Sequence, residues 1–119
     1  MSGIPLLLRA EWLAVALGGA ALYLWMGGDW IWLLPLLLAP DVSMAGYLAG
    51  PRLGAIAYNA VHNLVLALAL LGVGWGAGIA PLAFAGAVLI AHVGMDRALG
   101  YGLKLATGFA DTHLGRIGR

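Results

Sequence analysis

The sequence predicts an all-α integral membrane protein: a four-helix bundle with both termini on the cytoplasmic side. Three observations lead there. Hydrophobic residues make up 63% of the 119 residues and charged residues only 9%, whereas soluble domains carry roughly 25% charged residues. Such a chain cannot cover its surface for water, and its mean hydropathy of +0.97 makes lipid the expected solvent. The apolar residues also fall into four runs, with basic residues and tryptophans gathering at opposite ends of them.

The length implies one domain over residues 1–119. The first helix is expected over about residues 11–26, where Gly27-Gly28-Asp29 ends it. The second, about 30–40, contains Pro35 and is too short to cross ~30 Å of hydrocarbon by itself. It either continues towards Tyr47 or stops part-way as a re-entrant segment, which is tolerated only where protein or water surrounds the backbone. Residues 41–54 are rich in Gly and Pro and read as a loop with one helical turn, capped by Asp41 or Ser43. The third helix is expected over about 54–73 and the fourth over about 79–99, with Gly72, Gly74, Gly76 and Gly78 marking the turn between them. A Gly-rich polar tail, 100–119, follows on the cytoplasmic side. Ala14-Val15-Ala16 matches a signal-peptide cleavage pattern, but Arg9 and Glu11 interrupt the apolar run such a peptide needs, so cleavage is not expected.

Charge placement sets the expected topology. With four spans, Arg9, Arg52, Arg97, Lys104, Arg116 and Arg119 all fall on one side, which the positive-inside rule makes cytoplasmic. Trp25, Trp30, Trp32 and Trp75 fall near the other interface, where indoles prefer to sit. Ala83, Ala87 and Ala91 recur at a spacing that suits close helix packing in lipid, although Ala is too common in such helices to map an interface.

Composition also excludes functions. A net charge of +1 argues against nucleic-acid binding, which needs many cations to neutralise phosphates. The chain has no cysteine, so disulfides, thiolate metal sites and thiol nucleophiles are ruled out. Ser2 and Ser43 are the only serines, and neither lies in a GxSxG turn.

The polar residues converge on the basic face. Glu11 opens the first helix there and Asp41 ends the second segment. Asn59, His62 and Asn63 form one stripe on the third helix, and His92 and Asp96 lie four apart on the fourth. Asp111 and His113 follow in the tail. Ionisable residues in membrane helices are costly and usually face a bundle interior or a watery cavity. Imidazole and carboxylate are common ligands of zinc, iron or manganese, and a carboxylate beside an imidazole also suits general acid–base chemistry. Asp111 and His113 close over such a site where the tail folds back. The bland alternative is local. A His or Asn in a membrane helix often only bonds a neighbouring helix, worth about 0.6–2 kcal/mol. Asp41 then caps a turn, Glu11 pairs with Arg9, Asp96 pairs with Arg97 or Lys104, and Tyr47, Tyr58 and Tyr101 anchor the interface.

Three stretches carry a family resemblance. They are Pro40-Asp41-Val42-Ser43-Met44-Ala45-Gly46-Tyr47-Leu48, then Gly54 to His62 with Tyr58-Asn59, and the run from Ala91-His92 through Asp96-Arg97 and Gly100-Tyr101-Gly102-Leu103-Lys104 to Asp111-Thr112-His113-Leu114-Gly115. In this order they resemble DUF4260, a family of small bacterial membrane proteins without an established activity. The resemblance covers nearly the whole chain and implies a multi-pass protein of the bacterial inner membrane. Leu105 and Ala110 depart from the aromatic and basic residues expected there. By analogy only, the order of Pro-Asp, His and His-x-x-x-Asp is similar to membrane-bound metal-dependent hydrolases. That analogy implies Asp41, His62, His92 and Asp96 as ligands, although His62-Asn63-Leu64 stands where those hydrolases carry His-Arg-Gly-x-Thr-His.

The expectation is therefore a cytoplasm-facing pocket that binds a divalent metal and hydrolyses or rearranges a small or lipid-like substrate. Asp41, His62, His92 and Asp96 bind metal; Asn59 orients a water or substrate, with Asp111 and His113 as further catalytic candidates. Arg97 and Lys104 attract an anionic headgroup. The alternative is a non-enzymatic membrane module, either a homo-oligomeric transporter or a docking subunit, in which the polar cluster is a structural network.

Overall fold

A computed structural model describes residues 3–117, apart from the side chain of Arg116. Of the basic residues used above for topology, Arg119 and the Arg116 side chain therefore lie outside the described residues. The described chain forms five α-helices, a 3-10 helix and a small hairpin. These are α1 (Ile4–Trp25), α2 (Trp30–Leu38), the 3-10 helix (Ala39–Ala49), α3 (Pro51–Val61), α4 (Leu64–Gly76), α5 (Ala80–Leu99), β1 (Asp111–Thr112) and β2 (Gly115–Arg116).

Three helical segments are long and apolar enough to cross a membrane: Ile4–Trp25, Trp30–Ala49 and Ala80–Leu99. A fourth is added if α3 and α4, bent by 41° at their junction, count as one span. Apolar side chains cover the outside: Leu6 is 74% exposed, Leu34 73% and Val65 80%. Apolar surface on this scale fits contact with lipid.

The structure differs from the expected helices at three places. First, α1 starts at Ile4, with Pro5 in its opening turn, where a missing N–H costs nothing. Arg9 and Glu11 therefore lie inside the helix, and Arg9 Nε donates to Ala98 O at 2.7 Å. Second, residues 39–49 are not a loop. The helix tightens after Leu38 and runs on as 3-10 to Ala49, packed against α3. Neither Asp41 nor Ser43 caps it; the Ser43 hydroxyl donates to Pro40 O at 2.8 Å. Third, the predicted helix over 54–73 is two helices, broken at His62-Asn63.

Helix α5 is the central element. It runs antiparallel to α1 on one side and to α4 on the other. Small residues permit this: Ala83, Ala87 and Ala91 are buried, and Gly94 sits so close to α1 that a Cβ there would lie 2.5 Å from Ala16 N. Without a hydrophobic force between helices in lipid, such close backbone packing supplies the association. Trp25 and Trp75 meet edge-to-face at 6.1 Å at the end of the helices away from Arg9 and Ala98. At the near end Gly100, in the left-handed conformation (φ 92°), ends α5, and Tyr101 N–H and Gly100 N–H return to Asp96 O and Arg97 O. The chain thereby turns back over the bundle.

Candidate metal centre

Each element delivers one part of the site. Helix α5 carries His92 and Asp96 on one face, one turn apart. Helix α3 carries Tyr58 and His62 at the same spacing and stops there, His62 leaving the helical conformation at φ −103°, ψ 54°. The break is chemically satisfied. The Asn63 side chain accepts from Leu66 N–H at 2.9 Å, capping α4, and its amide donates to Asn59 O at 2.8 Å and Ala60 O at 3.1 Å. Arg97 Nη2 donates to His62 O at 3.0 Å. Freed carbonyls and amides at membrane depth persist only when satisfied in this way. The 3-10 helix contributes Asp41. With three residues per turn, Asp41, Met44 and Tyr47 eclipse one another on a single face.

The four side chains meet. Asp41 Oδ1 lies 3.1 Å from His62 Nε2 and 3.1 Å from His92 Nε2. The two Nε2 atoms are 3.1 Å apart. Asp96 Oδ2 lies 3.2 Å from His92 Nε2 and 3.9 Å from His62 Nε2. One ligand atom from each residue falls within 4.8 Å of all the others. His62 is 0% exposed and His92 1%.

The other ring nitrogens fix the tautomers. His62 Nδ1 faces Tyr58 O at 2.8 Å, and His92 Nδ1 faces Leu37 O near the end of α2. A carbonyl oxygen only accepts, so each Nδ1 carries its proton. In the neutral rings both Nε2 lone pairs therefore point at each other and at two carboxylates. Four electron-pair donors converging in this way could hold a metal ion among them. Neighbouring ligand atoms of a tetrahedral ion stand roughly 3.3 Å apart; the contacts among Asp41, His62 and His92, and that of His92 with Asp96, come near this at 3.1–3.2 Å, whereas His62–Asp96 is wider at 3.9 Å. Two neutral imidazoles and two carboxylates carry a charge of about −2, which a divalent ion offsets.

Tyr58 completes the arrangement. Its hydroxyl donates to Asp96 Oδ2 at 3.2 Å, and its ring stacks on His62 at 3.7 Å between centroids. The bland alternative makes Tyr58 an interface anchor; its i, i+4 relation to His62 is the signal for a role here.

A cavity of about 240 Å³ opens beside the cluster, lined by Asp41, Met44, Tyr58, Asp96, Lys104 and Phe109 among others. The tail forms its outer wall. Asn59 binds the tail at two points: its amide donates to Lys104 O at 2.8 Å, and its carbonyl accepts from Lys104 N–H at 2.6 Å. Lys104 is 4% exposed, with Nζ 3.8 Å from the Phe109 ring centroid and 4.9 Å from that of Tyr58. Burial pushes its ammonium below the ordinary lysine range, opposed in part by the negative charges of Asp96 and Asp41.

Of the remaining expected site residues, Asp111 and His113 bond within the tail, and Arg97 reaches the four through the His62 carbonyl. Asp111 accepts from the Thr107 hydroxyl at 2.8 Å within the tail. His113 is exposed, and its Nδ1 accepts from Leu103 N–H at 2.8 Å. Arg97 is 6% exposed, its guanidinium held by His62 O and Tyr101 O.

A family model described as "Domain of unknown function (DUF4260)" matches residues 5–117. The chain belongs to the DUF4260 family. The matched span takes in α1 from its second residue, the other four helices, the tail hairpin and every residue of the centre. No curated protein and no solved structure matches this DUF4260 chain.

Proposed function

We propose that this protein is a metal-dependent enzyme of the bacterial inner membrane, with hydrolysis as its simplest reaction. The observation that carries the proposal is the pair of Nε2 atoms 3.1 Å apart, each with its Nδ1 proton committed to a carbonyl and each beside a carboxylate. Zinc, iron or manganese suits two imidazoles and two carboxylates. When bound, a divalent ion would supply Lewis acidity and, where its coordination keeps a position open beyond the protein ligands, a water activated near neutral pH.

The protein's own groups do the rest. Asp41, His62, His92 and Asp96 hold the ion, and Tyr58 holds Asp96. Lys104 presents positive charge to an anionic group entering the cavity. Asn59, Asp111 and His113 act through the tail: Asn59 clamps it, and the other two shape its turn. Arg97 supports the broken helix at His62. The basic end carrying Arg9, Arg97 and Lys104 faces the cytoplasm, so the chain enters and leaves the membrane on that side.

A second reading rests on the same distances. At 3.1–3.2 Å each imidazole–carboxylate contact also suits an ion pair when the rings are protonated. In that case the cluster is a structural network in a non-enzymatic, self-associating membrane module.

Elemental analysis separates the two. The protein is purified in detergent without a metal-binding tag, beside His62→Ala and His92→Ala. Near-stoichiometric metal in the wild type, lost in both variants while they stay monodisperse, supports the enzyme reading. Metal-free wild type after supplementation with zinc, iron and manganese overturns it in favour of the network.

A further inference from the structure

A second cavity, of about 380 Å³, lies in the apolar body of the molecule. Leu36, Pro40, Val61, Leu66, Val88 and Leu89 contribute to its walls, and no ionisable residue does. Three of these adjoin the metal centre along the chain. Pro40 precedes Asp41, Val61 precedes His62, and Val88 stands one helical turn before His92. The centre thus contributes Asp41 and Asp96 to the polar cavity directly, and its chain neighbours to the apolar one. Pro40 lines the apolar one and Asp41 the polar one, so the start of the 3-10 helix is the rim they share.

We infer that the apolar groove holds the hydrocarbon chain of a membrane-resident amphiphile whose anionic head reaches Lys104, so that the linkage between chain and head lies at the metal centre. The inference rests on the metal reading above and names its substrate class. The groove lies among the membrane-spanning segments, where hydrocarbon is the surrounding solvent. Burial of a chain there gains no hydrophobic energy over the bilayer. The groove therefore guides the chain, and the head supplies the selectivity. The cation of the polar cavity is Lys104, its Nζ against Phe109 and Tyr58; Asp41 and Asp96 in the same wall outweigh it unless a divalent ion at the centre offsets them. Hydrolysis of such a molecule adds water across one ester bond and releases the head and the chain-bearing fragment, with no oxidant or reductant needed.

The test uses the full-length protein in phosphatidylcholine nanodiscs with a long-chain alkyl phosphate carrying a diazirine in mid-chain. After illumination, adducts are mapped by mass spectrometry, and metal content is measured on the same samples. Adducts are expected on Leu66, Leu70, Val88 and Leu89 in preference to the lipid-facing Val65. Ala85→Trp, which fills the groove, should remove them, and Val65→Trp should not. Lys104→Gln should lower groove labelling about tenfold, the loss of one charge-assisted contact. Dodecyl phosphate should compete and dodecyl maltoside should not. Labelling spread evenly over lipid-facing residues, or indifferent to both Ala85→Trp and Lys104→Gln, overturns the inference even if the metal is present. Groove labelling that depends on Lys104 in a metal-free protein keeps the amphiphile site and removes the metal reading instead.

Discussion

Replacing Tyr58 with phenylalanine removes one hydroxyl and leaves the ring that stacks on His62. The lost bond is the one from that hydroxyl to Asp96 Oδ2 at 3.2 Å. A hydrogen bond to a charged group contributes about 1.5–3 kcal/mol. At 3.2 Å this one is longer than the usual O–H···O distance, which places it near the lower figure. About 1.4 kcal/mol is a factor of ten, so zinc affinity should fall about tenfold. Outer partners of metal ligands typically tune affinity by about 10–100-fold, which agrees. The assay is competitive zinc titration against a chromophoric chelator in detergent, with thermal unfolding of the metal-free protein in parallel. Affinity unchanged within about twofold refutes the claim that Tyr58 holds Asp96 as a ligand. An equal loss of stability in the metal-free protein assigns the hydroxyl to packing.

Other consequences follow from the same geometry. Asn59→Ala removes both contacts to the Lys104 backbone. Amides from Lys104 to Thr112 should then exchange with deuterium about tenfold faster or more, for a loss of about 1–3 kcal/mol, while α5 exchanges as before; unchanged tail protection contradicts the clamp. Asn63→Ala should lower stability by about 0.5–2 kcal/mol, as for a helix cap, read by thermal unfolding in detergent. An Asn63→Asp variant, which keeps the accepting oxygen, should recover most of that, and failure to do so argues against capping. Burial holds the Lys104 ammonium below its ordinary range, so between the lowered value and about 10.4 the folded chain binds fewer protons than the unfolded one. Stability should therefore rise with pH across that window relative to Lys104→Met, and a flat difference from about pH 8 to about pH 10 contradicts it.

Several features were legible because they depend on composition and short spacing. The apolar runs mark the segments able to span a membrane, and His92 with Asp96 shares a helix face by periodicity alone. Asp41, His62, His92 and Asp96, expected as a set, lie together in space. The break at His62-Asn63 was not legible, because no Pro or Gly marks it and apolar residues run on through Leu64. It persists through Arg97, 35 residues away, and through the bonds of Asn63. The 3-10 helix looked like a loop, because Gly46 and Pro40 weaken helix propensity. Packing on α3 overrides that weakness.

By itself, then, the sequence determined where the chain is apolar enough to span a membrane, most of its helical stretches and which rare polar residues are worth explaining. Those properties follow from local chemistry: transfer energy, side-chain period and charge. Tertiary structure alone decided that both Nδ1 protons are committed to carbonyls, that Tyr58 holds Asp96, and that Asn59 draws the tail over the cavity. The bonds to Leu37, Asp96 and Lys104 join residues distant in sequence and leave no periodic trace along the chain; the bond from His62 to Tyr58 lies at helical spacing, but only the fold brings the other face of that ring to His92 and the carboxylates.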